Sequence, residues 1–148
     1  MKNKSKVSAI MANYNKAEYL PEAIESILSQ THANLELIII DDCSTDGSKK
    51  IIESYASKDC RIYPIFNNKN EGPPVSRNKG LKIASGKYIA ILDSDDIALP
   101  RRLDIQYNFL EKHPEFFLVG GGAIDINEDG KEIRVNRPIA NEIKLRKS

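Results

Sequence analysis

The sequence predicts an α/β fold, a three-layer α/β/α sandwich around a mostly parallel central sheet. Two observations carry that expectation. Short, β-branched apolar runs alternate with stretches whose apolar residues recur at helical spacing, the pattern of successive βαβ units. Three of the runs end in polar clusters, Asn13-Tyr14-Asn15, Asp41-Asp42 and Asp93-Ser94-Asp95-Asp96. Open parallel sheets bind ligands just beyond the carboxyl ends of their strands.

In chain order, Val7 to Met11 reads as the first strand, ending in the turn-forming Ala12-Asn13-Tyr14-Asn15. A helix fits 18–30, with Leu20, Ile24, Ile27 and Leu28 on one face and Pro21 in the first turn, where proline is tolerated. Leu35 to Ile40 is a buried second strand running into Asp41 and Asp42. Ser48 to about Ser57 forms a second helix, with Ile51, Ile52 and Tyr55 inward. Arg61 to Asn67 is a third strand, and a loop rich in Asn, Gly and Pro follows to Pro74. Val75 to Ala84 is helical, with Gly86 the expected terminator. Tyr88 to Leu92 is a fourth strand, and Pro100 opens a helix that reaches His113 before the stop at Pro114. Phe116 to Val119 reads as a further strand. Ala123–Ile126 and Lys131–Val135 form a hairpin with Asp129-Gly130 at its tip. One domain is expected over 1–148: a core at 5–120, the hairpin at 121–135 and a tail at 136–148.

Bulk properties narrow the class. The 148 residues suffice for one domain with a real core. Lys+Arg 22 against Asp+Glu 21 leaves a net charge of +1, which gives no electrostatic case for nucleic acid or an acidic membrane. No apolar run approaches the roughly 18 residues of a membrane span. Cys43 and Cys60 show no metal or disulfide spacing and read as free thiols in a reducing cytoplasm. His32 and His113 fall at element ends and are expected to be exposed.

The acidic cluster after the fourth strand is the chemical signal. Crowded carboxylates repel one another, and desolvation raises their pKa values. A divalent cation such as Mg²⁺ or Mn²⁺ relieves both, binding one or two carboxylates together with substrate phosphates. The competing reading is a solvated acidic turn. No GxGxxG or GxxxxGK[ST] cradle is present, so a phosphate would have to be held through the cation. Asp42 can accept from the N–H of a base, and Tyr14 offers a flat apolar face for the ring. Asp41 reads equally well as a cap of its loop, and Arg77 as a helix-surface partner for a nearby acid.

An ordered set of motifs adds a family. Ala12-Asn13-Tyr14-Asn15, Ser26-Ile27-Leu28-Ser29-Gln30-Thr31, Glu36 to Asp46, Asn70-Glu71-Gly72, Ser76-Arg77-Asn78-Lys79-Gly80, Gly86-Lys87-Tyr88-Ile89 and Leu92-Asp93-Ser94-Asp95-Asp96 together resemble family 2 glycosyltransferases of the Rossmann-like GT-A fold. The resemblance covers about residues 5 to 120. It implies a nucleotide-sugar donor, with a UDP-sugar favoured, and a glycan or lipid-linked acceptor. It also implies a divalent metal, Mn²⁺ or Mg²⁺, a cytoplasmic location peripheral to the inner face of a membrane, and a role in cell-envelope or capsular polysaccharide synthesis. Tyr14 matches the position that packs on the base, with Ala12 beside it through its backbone. Asp42 matches the acid that reads the base, with Asp41 next to it. Arg77 and Asn78 match a pair near the diphosphate, and Asp93 and Asp95 the outer members of the Asp-any-Asp motif flanking Ser94. Asp95 is expected on the metal, and Asp93 near the ribose or a metal-bound water. The resemblance further implies a carboxylate base and inversion at the anomeric carbon. Asp125, Glu128 and Asp129 are weak candidates for that base. Because the pattern fades after Asn136, the base is expected beyond Ser148, in the remainder of a longer enzyme.

Two other readings compete. One is an inactive sugar-nucleotide-binding domain. The other is a calcium module built on Asp42 to Glu53 and Asp125 to Gly130, each a partial match to a calcium loop.

Overall fold

The computed structural model describes residues 4–127 and 130–137. β1 (Val7–Asn13), β2 (Leu35–Asp41), β3 (Ile62–Phe66) and β4 (Tyr88–Ile91) form one sheet in the order β3-β2-β1-β4, with every pair parallel. Interleaved with them are α1 (Leu20–Leu28), α2 (Ser48–Ala56) and α3 (Pro73–Ile83), and α4 (Arg102–Lys112) follows β4. The chain divides into two compact units, Met1–Tyr107 and Asn108–Ser148. The second holds an antiparallel pair, β5 (Ala123–Ile126) with β6 (Glu132–Asn136).

Every residue of β2 is buried, as expected for a strand covered on both faces. The strand period of two sorts the side chains. Val7, Ala9, Met11, Leu35, Leu37 and Ile39 share one core with Leu20, Ile24 and Ile27 of α1, Ile52 of α2, and Leu103 and Tyr107 of α4. Ile10, Ile38 and Ile40 form a second core with Ile65 and Ala84. α3 covers that face, in contact with β1 and β2. A Cβ on Gly80 would lie 2.8 Å from Ile10 Cγ2 and 2.9 Å from Ile40 Cδ1, so glycine sets how near α3 comes. β3 carries Pro64 without harm because it is an edge strand.

The winding locates the ligand face. From β1 the chain moves outward to β2 and β3, then returns to place β4 on the other side of β1. Strand order therefore reverses between β1 and β4, and ligands of doubly wound sheets bind at such a point.

Several expectations need correction. Gly86 does not terminate α3. The helix ends at Ile83, Ala84 is already extended at φ −59 and ψ 129, and Gly86 is not among the positive-φ residues. Its role is close approach: a Cβ there would sit 2.5 Å from the Ser8 backbone nitrogen. α1 is shorter at both ends: residues 17–19 form a turn ahead of it, and Ser29, at φ −90 and ψ 5, leaves helical geometry after Leu28. α4 starts at Arg102 rather than Pro100, whose carbonyl accepts from Thr31 N at 2.9 Å. Phe116 to Val119 is not a strand. Among the described residues nothing pairs with it, and Phe117 and Leu118 are 74% and 75% exposed. A strand needs a neighbour for its backbone groups. His32 is fully buried, its Nε2 3.0 Å from Ser5 O and its ring 4.7 Å from that of Tyr107.

Candidate functional site

Pairing of β1 with β4 ends at Ile10 and Ile91, with one further bond from Leu92 N to Ile10 O. β1 continues to Asn13, whose carbonyl accepts from Asp42 N at 2.8 Å on the β2 side. Backbone groups of successive strand residues point to opposite neighbours. Ala12 therefore faces the β4 side, beyond the point where β4 has stopped. The family resemblance expects Ala12 to act through its backbone.

The loops after β1 and β2 interlock. Asn13 Nδ2 donates to Asp41 Oδ1 at 2.8 Å, Asn15 N to Ser44 Oγ at 3.0 Å, Thr45 N to Asn15 Oδ1 at 2.8 Å, and Ala17 N to Asp46 Oδ2 at 2.8 Å. Asn15 holds φ 51, a left-handed conformation asparagine accepts more readily than most residues. Between these anchored asparagines Tyr14 is left 46% exposed, so it is presented rather than packed.

Asp41 and Asp42 are both buried. Asp41 accepts from Asn13 and from the Ser44 amide and hydroxyl, which makes it the cap of its own loop. Asp42 Oδ1 accepts from Asn67 Nδ2 at 2.7 Å and Glu71 N at 3.0 Å, and Oδ2 from Gly72 N at 2.7 Å. Burial alone would push the Asp42 carboxyl up. The bonds from Asn67, Glu71, Gly72 and Ser76 outweigh it and hold the group below the ordinary carboxylate range. Asp42 thus fixes the 67–72 loop beside the site, and a base could meet it only in exchange for one of these donors.

After β4, Leu92 and Ser94 are buried while Asp93, Asp95 and Asp96 are exposed. A turn from Asp96 N to Asp93 O, 3.1 Å, closes the cluster. Arg77 Nη2 donates to Asp93 Oδ1 at 2.6 Å, and Lys16 Nζ to Asp95 Oδ2 at 2.8 Å. The Asp95 bond, and then its charge, raises the Lys16 ammonium pKa. Desolvation, and then the charges of Asp93 and Asp95, push the Asp96 carboxyl up. Arg102 Nη2 donates to Ile91 O at 2.8 Å and braces the start of this loop. Asn78 lies exposed along a shallow hollow on α3 with Val75, Lys79, Leu81 and Lys82.

The fit to a cation is partial. Among the described residues no three His, Cys, Asp or Glu side chains converge as a metal cage. Asp93 and Asp95 keep side-chain exposures of 52% and 39%, two hard oxygen ligands that phosphate oxygens could complete. The residues therefore suit a cation that arrives with a diphosphate. They do not suit a calcium loop at 42–53: Asp42 turns to Asn67, Glu71 and Gly72, and Asp46 to Ala17 and Ser48. Of the candidate bases, Asp125 Oδ2 accepts from Asn136 Nδ2 at 2.9 Å, and Glu128 and Asp129 lie outside the described residues. Sequence reasoning gave no role to Lys16. Its one signal was a position next to the polar end of β1.

A parallel sheet wound both ways from β1, with polar loops at the strand ends on either side of the reversal, defines an α/β domain of the GT-A type. The comparisons agree. The chain matches the model for "Glycosyl transferase family 2" over residues 8–147, and it belongs to that family. It is 44% identical, over 92% of its length and 48% of the relative's, to an uncharacterized glycosyltransferase of Methanocaldococcus jannaschii. It is 46% identical, over 75% of its length and 43% of the relative's, to the Escherichia coli UDP-Glc:alpha-D-GlcNAc-diphosphoundecaprenol beta-1,3-glucosyltransferase WfaP. Among solved structures it resembles S. aureus TarS 1–349 in complex with UDP-GlcNAc, with TM-score 0.68, 32% identity, and coverage of 74% of this chain and 32% of that one. The chain spans about half the length of these curated relatives. Among the described residues no helix is long and apolar enough to cross a membrane.

Proposed function

We propose that this chain supplies the donor-binding site of a transferase that moves a sugar from UDP to a hydroxyl of a glycan or lipid-linked acceptor. The process is cell-envelope polysaccharide synthesis at the cytoplasmic face of a membrane. One observation carries the reading: Lys16 meets Asp95 and Asn13 meets Asp41, so the ends of β2, β1 and β4 open onto one shared edge. The relatives favour UDP, since WfaP is named for UDP-Glc and TarS was solved with UDP-GlcNAc.

In this reading Tyr14 stacks on the uracil, and the Ala12 backbone lines the crevice beside it. Asp42 holds the 67–72 loop against the nucleotide. Asp95 and Asp93 would hold the divalent cation together with the diphosphate. When bound, that cation supplies Lewis-acid neutralisation of the charge that develops on the departing diphosphate. Lys16 and Arg77, now paired with these carboxylates, would add positive charge toward the diphosphate oxygens. The acceptor oxygen attacks the anomeric carbon through an oxocarbenium-like state, with inversion, as the anomeric C–O bond to UDP breaks, the diphosphate takes the electron pair and a carboxylate base takes the hydroxyl proton.

A thermal-shift titration tests the reading. UDP with Mn²⁺ raises the melting temperature, and Asp95→Ala removes the part of that rise that needs the cation. An unchanged shift in Asp95→Ala refutes the metal assignment.

A further inference from the structure

The carboxyl end of α1 is tied to the segment that leaves the acidic cluster. Gln30, just past the end of α1, donates through Nε2 to Leu99 O at 2.8 Å and Ala98 O at 3.3 Å across the gap, and to Ser26 O of α1 at 3.0 Å. Gln30 Oε1 accepts from Leu103 N at 3.0 Å. Ser26 Oγ accepts from Ala98 N at 3.0 Å while donating to Ala23 O at 2.8 Å. Thr31 N completes the seam on Pro100 O at 2.9 Å. Gln30 and Ser26 are 5% and 8% exposed, so little water competes for these bonds.

The seam has a consequence for the carboxylates. Between β4 and α4 the chain has no regular hydrogen-bond ladder, so its backbone groups must find partners elsewhere. The loop that carries Asp93 and Asp95 is fixed at its start by Leu92 N on Ile10 O and Arg102 on Ile91 O. Its far end is fixed at Ala98 to Leu103, by Gln30 and Ser26. Neither side chain touches a carboxylate. They act on the site through the backbone alone.

We propose that Gln30, seconded by Ser26, is a positioning residue for cation-dependent donor binding, setting where Asp93 and Asp95 stand relative to the diphosphate. The proposal rests on the donor-site reading above. A residue that only stabilised the fold would change the melting temperature and nothing else. Gln30 should instead govern the gain in UDP affinity that Mn²⁺ brings. It should leave cation-free UDP binding alone, because the loop that presents Tyr14 is fixed independently, its neighbour Asn15 being held from the β2 side by Ser44 and Thr45.

Calorimetric titration of the full chain with UDP, with and without Mn²⁺, tests this on Gln30→Leu and Ser26→Ala. Gln30→Leu is expected to lose roughly tenfold of the Mn²⁺-dependent gain, the scale seen when partners behind metal ligands are removed. Ser26→Ala should lose less, and cation-free affinity should hold within about twofold in both. An undiminished gain in the folded variants overturns the proposal while the donor site stands. No Mn²⁺-dependent UDP binding by the unaltered chain overturns the donor-site reading and the proposal with it. Should Gln30→Leu not fold, Ser26→Ala and hydrogen exchange in the unaltered chain decide. The Ala98 and Leu103 amides are expected to be protected like those of the sheet, and exchange at the rate of an open loop overturns the proposal.

Discussion

Lys16 Nζ lies 2.8 Å from Asp95 Oδ2, joining the loop after β1 to the loop after β4 across the point where strand order reverses. Arg77 holds Asp93 in the same way, at 2.6 Å. Each carboxylate assigned to the cation is thus already paired with a basic side chain of the chain itself. A bare cation must displace that partner. A cation that brings a diphosphate offers Lys16 and Arg77 new anions in exchange. Lys16→Ala and Arg77→Ala should therefore bind Mn²⁺ alone about two- to fivefold more tightly, the scale of an exposed ion pair. With UDP present the advantage should vanish or reverse. Paramagnetic resonance of free Mn²⁺ reads this directly, and unaltered affinity in both variants would refute the exchange.

Tyr14 sits between two asparagines whose side chains and amides are bound by the neighbouring loop, yet it is 46% exposed. It makes little contribution to the core, so Tyr14→Ala should leave the melting temperature of the free chain nearly unchanged. Its loss should weaken UDP by about 1–3 kcal/mol, the range for removing one aromatic platform under a base. Tyr14→Phe should retain most of the affinity. Isothermal titration separates these outcomes, and equal affinity in Tyr14→Ala would remove Tyr14 from the site.

The sheet and its helices were legible because both rest on local periodicity. Leu35 to Ile40 read as a strand buried on both faces, and Leu20, Ile24, Ile27 and Leu28 as one helical stripe, and the structure has both. Phe116 to Val119 had the composition of a strand, but composition does not supply a pairing partner. In the site, the acids were visible and their engagements were not. Asp41 and Asp42 looked alike in sequence to Asp93 and Asp95. Asp42 is consumed by Asn67, Glu71 and Gly72, whereas Asp95 faces Lys16 near solvent. Those partners come from distant segments, and no spacing rule reaches them. Gly86 failed for the same reason. A glycine after a helix reads as a cap until Ser8 of another strand is found against its Cα.

Gly80 and Gly86 both mark close approaches, but they should respond differently to alanine. At Gly80 the added methyl meets Ile10 Cγ2 and Ile40 Cδ1, side-chain atoms that can shift. Gly80→Ala should cost about 1–3 kcal/mol, as for overpacking elsewhere. At Gly86 the methyl would lie 2.5 Å from Ser8 N and 2.9 Å from Lys6 O, backbone atoms of β1 and of the segment leading into it. Neither can move without disturbing β1, so Gly86→Ala should be the more damaging of the two. Urea denaturation of both variants checks the order. A milder effect at Gly86 would contradict this packing.

Glu36 lies at the end of the sheet opposite the site and is almost fully buried. Ser8 Oγ donates to its Oε1 at 2.5 Å, Ser85 N donates to the same oxygen at 2.7 Å, and Lys6 Nζ reaches Oε2 at 3.4 Å. Burial pushes this carboxyl up. The bonds from Ser8 and Ser85 and the Lys6 charge overcome it, and the pKa falls from the ordinary 4.5 to about 2. A carboxylate whose folded pKa is depressed stabilises the fold fully above its unfolded value and loses that contribution as pH falls toward its folded one. The contribution of Glu36 is therefore complete above pH 4.5 and declines toward pH 2. Its size is on the order of 3 kcal/mol. Glu36→Gln keeps the shape but not the charge, so it should be less stable than the unaltered chain by about that amount at neutral pH. Other depressed carboxylates, such as Asp42, Asp46 and Asp104, contribute equally to both proteins, so the difference between the two isolates Glu36. Chemical denaturation across the acidic range should show the gap narrowing as pH falls through 4.5 toward 2. A gap that stays constant with pH would show that the charge of Glu36 is not what ties β2 to Ser8 and Ser85.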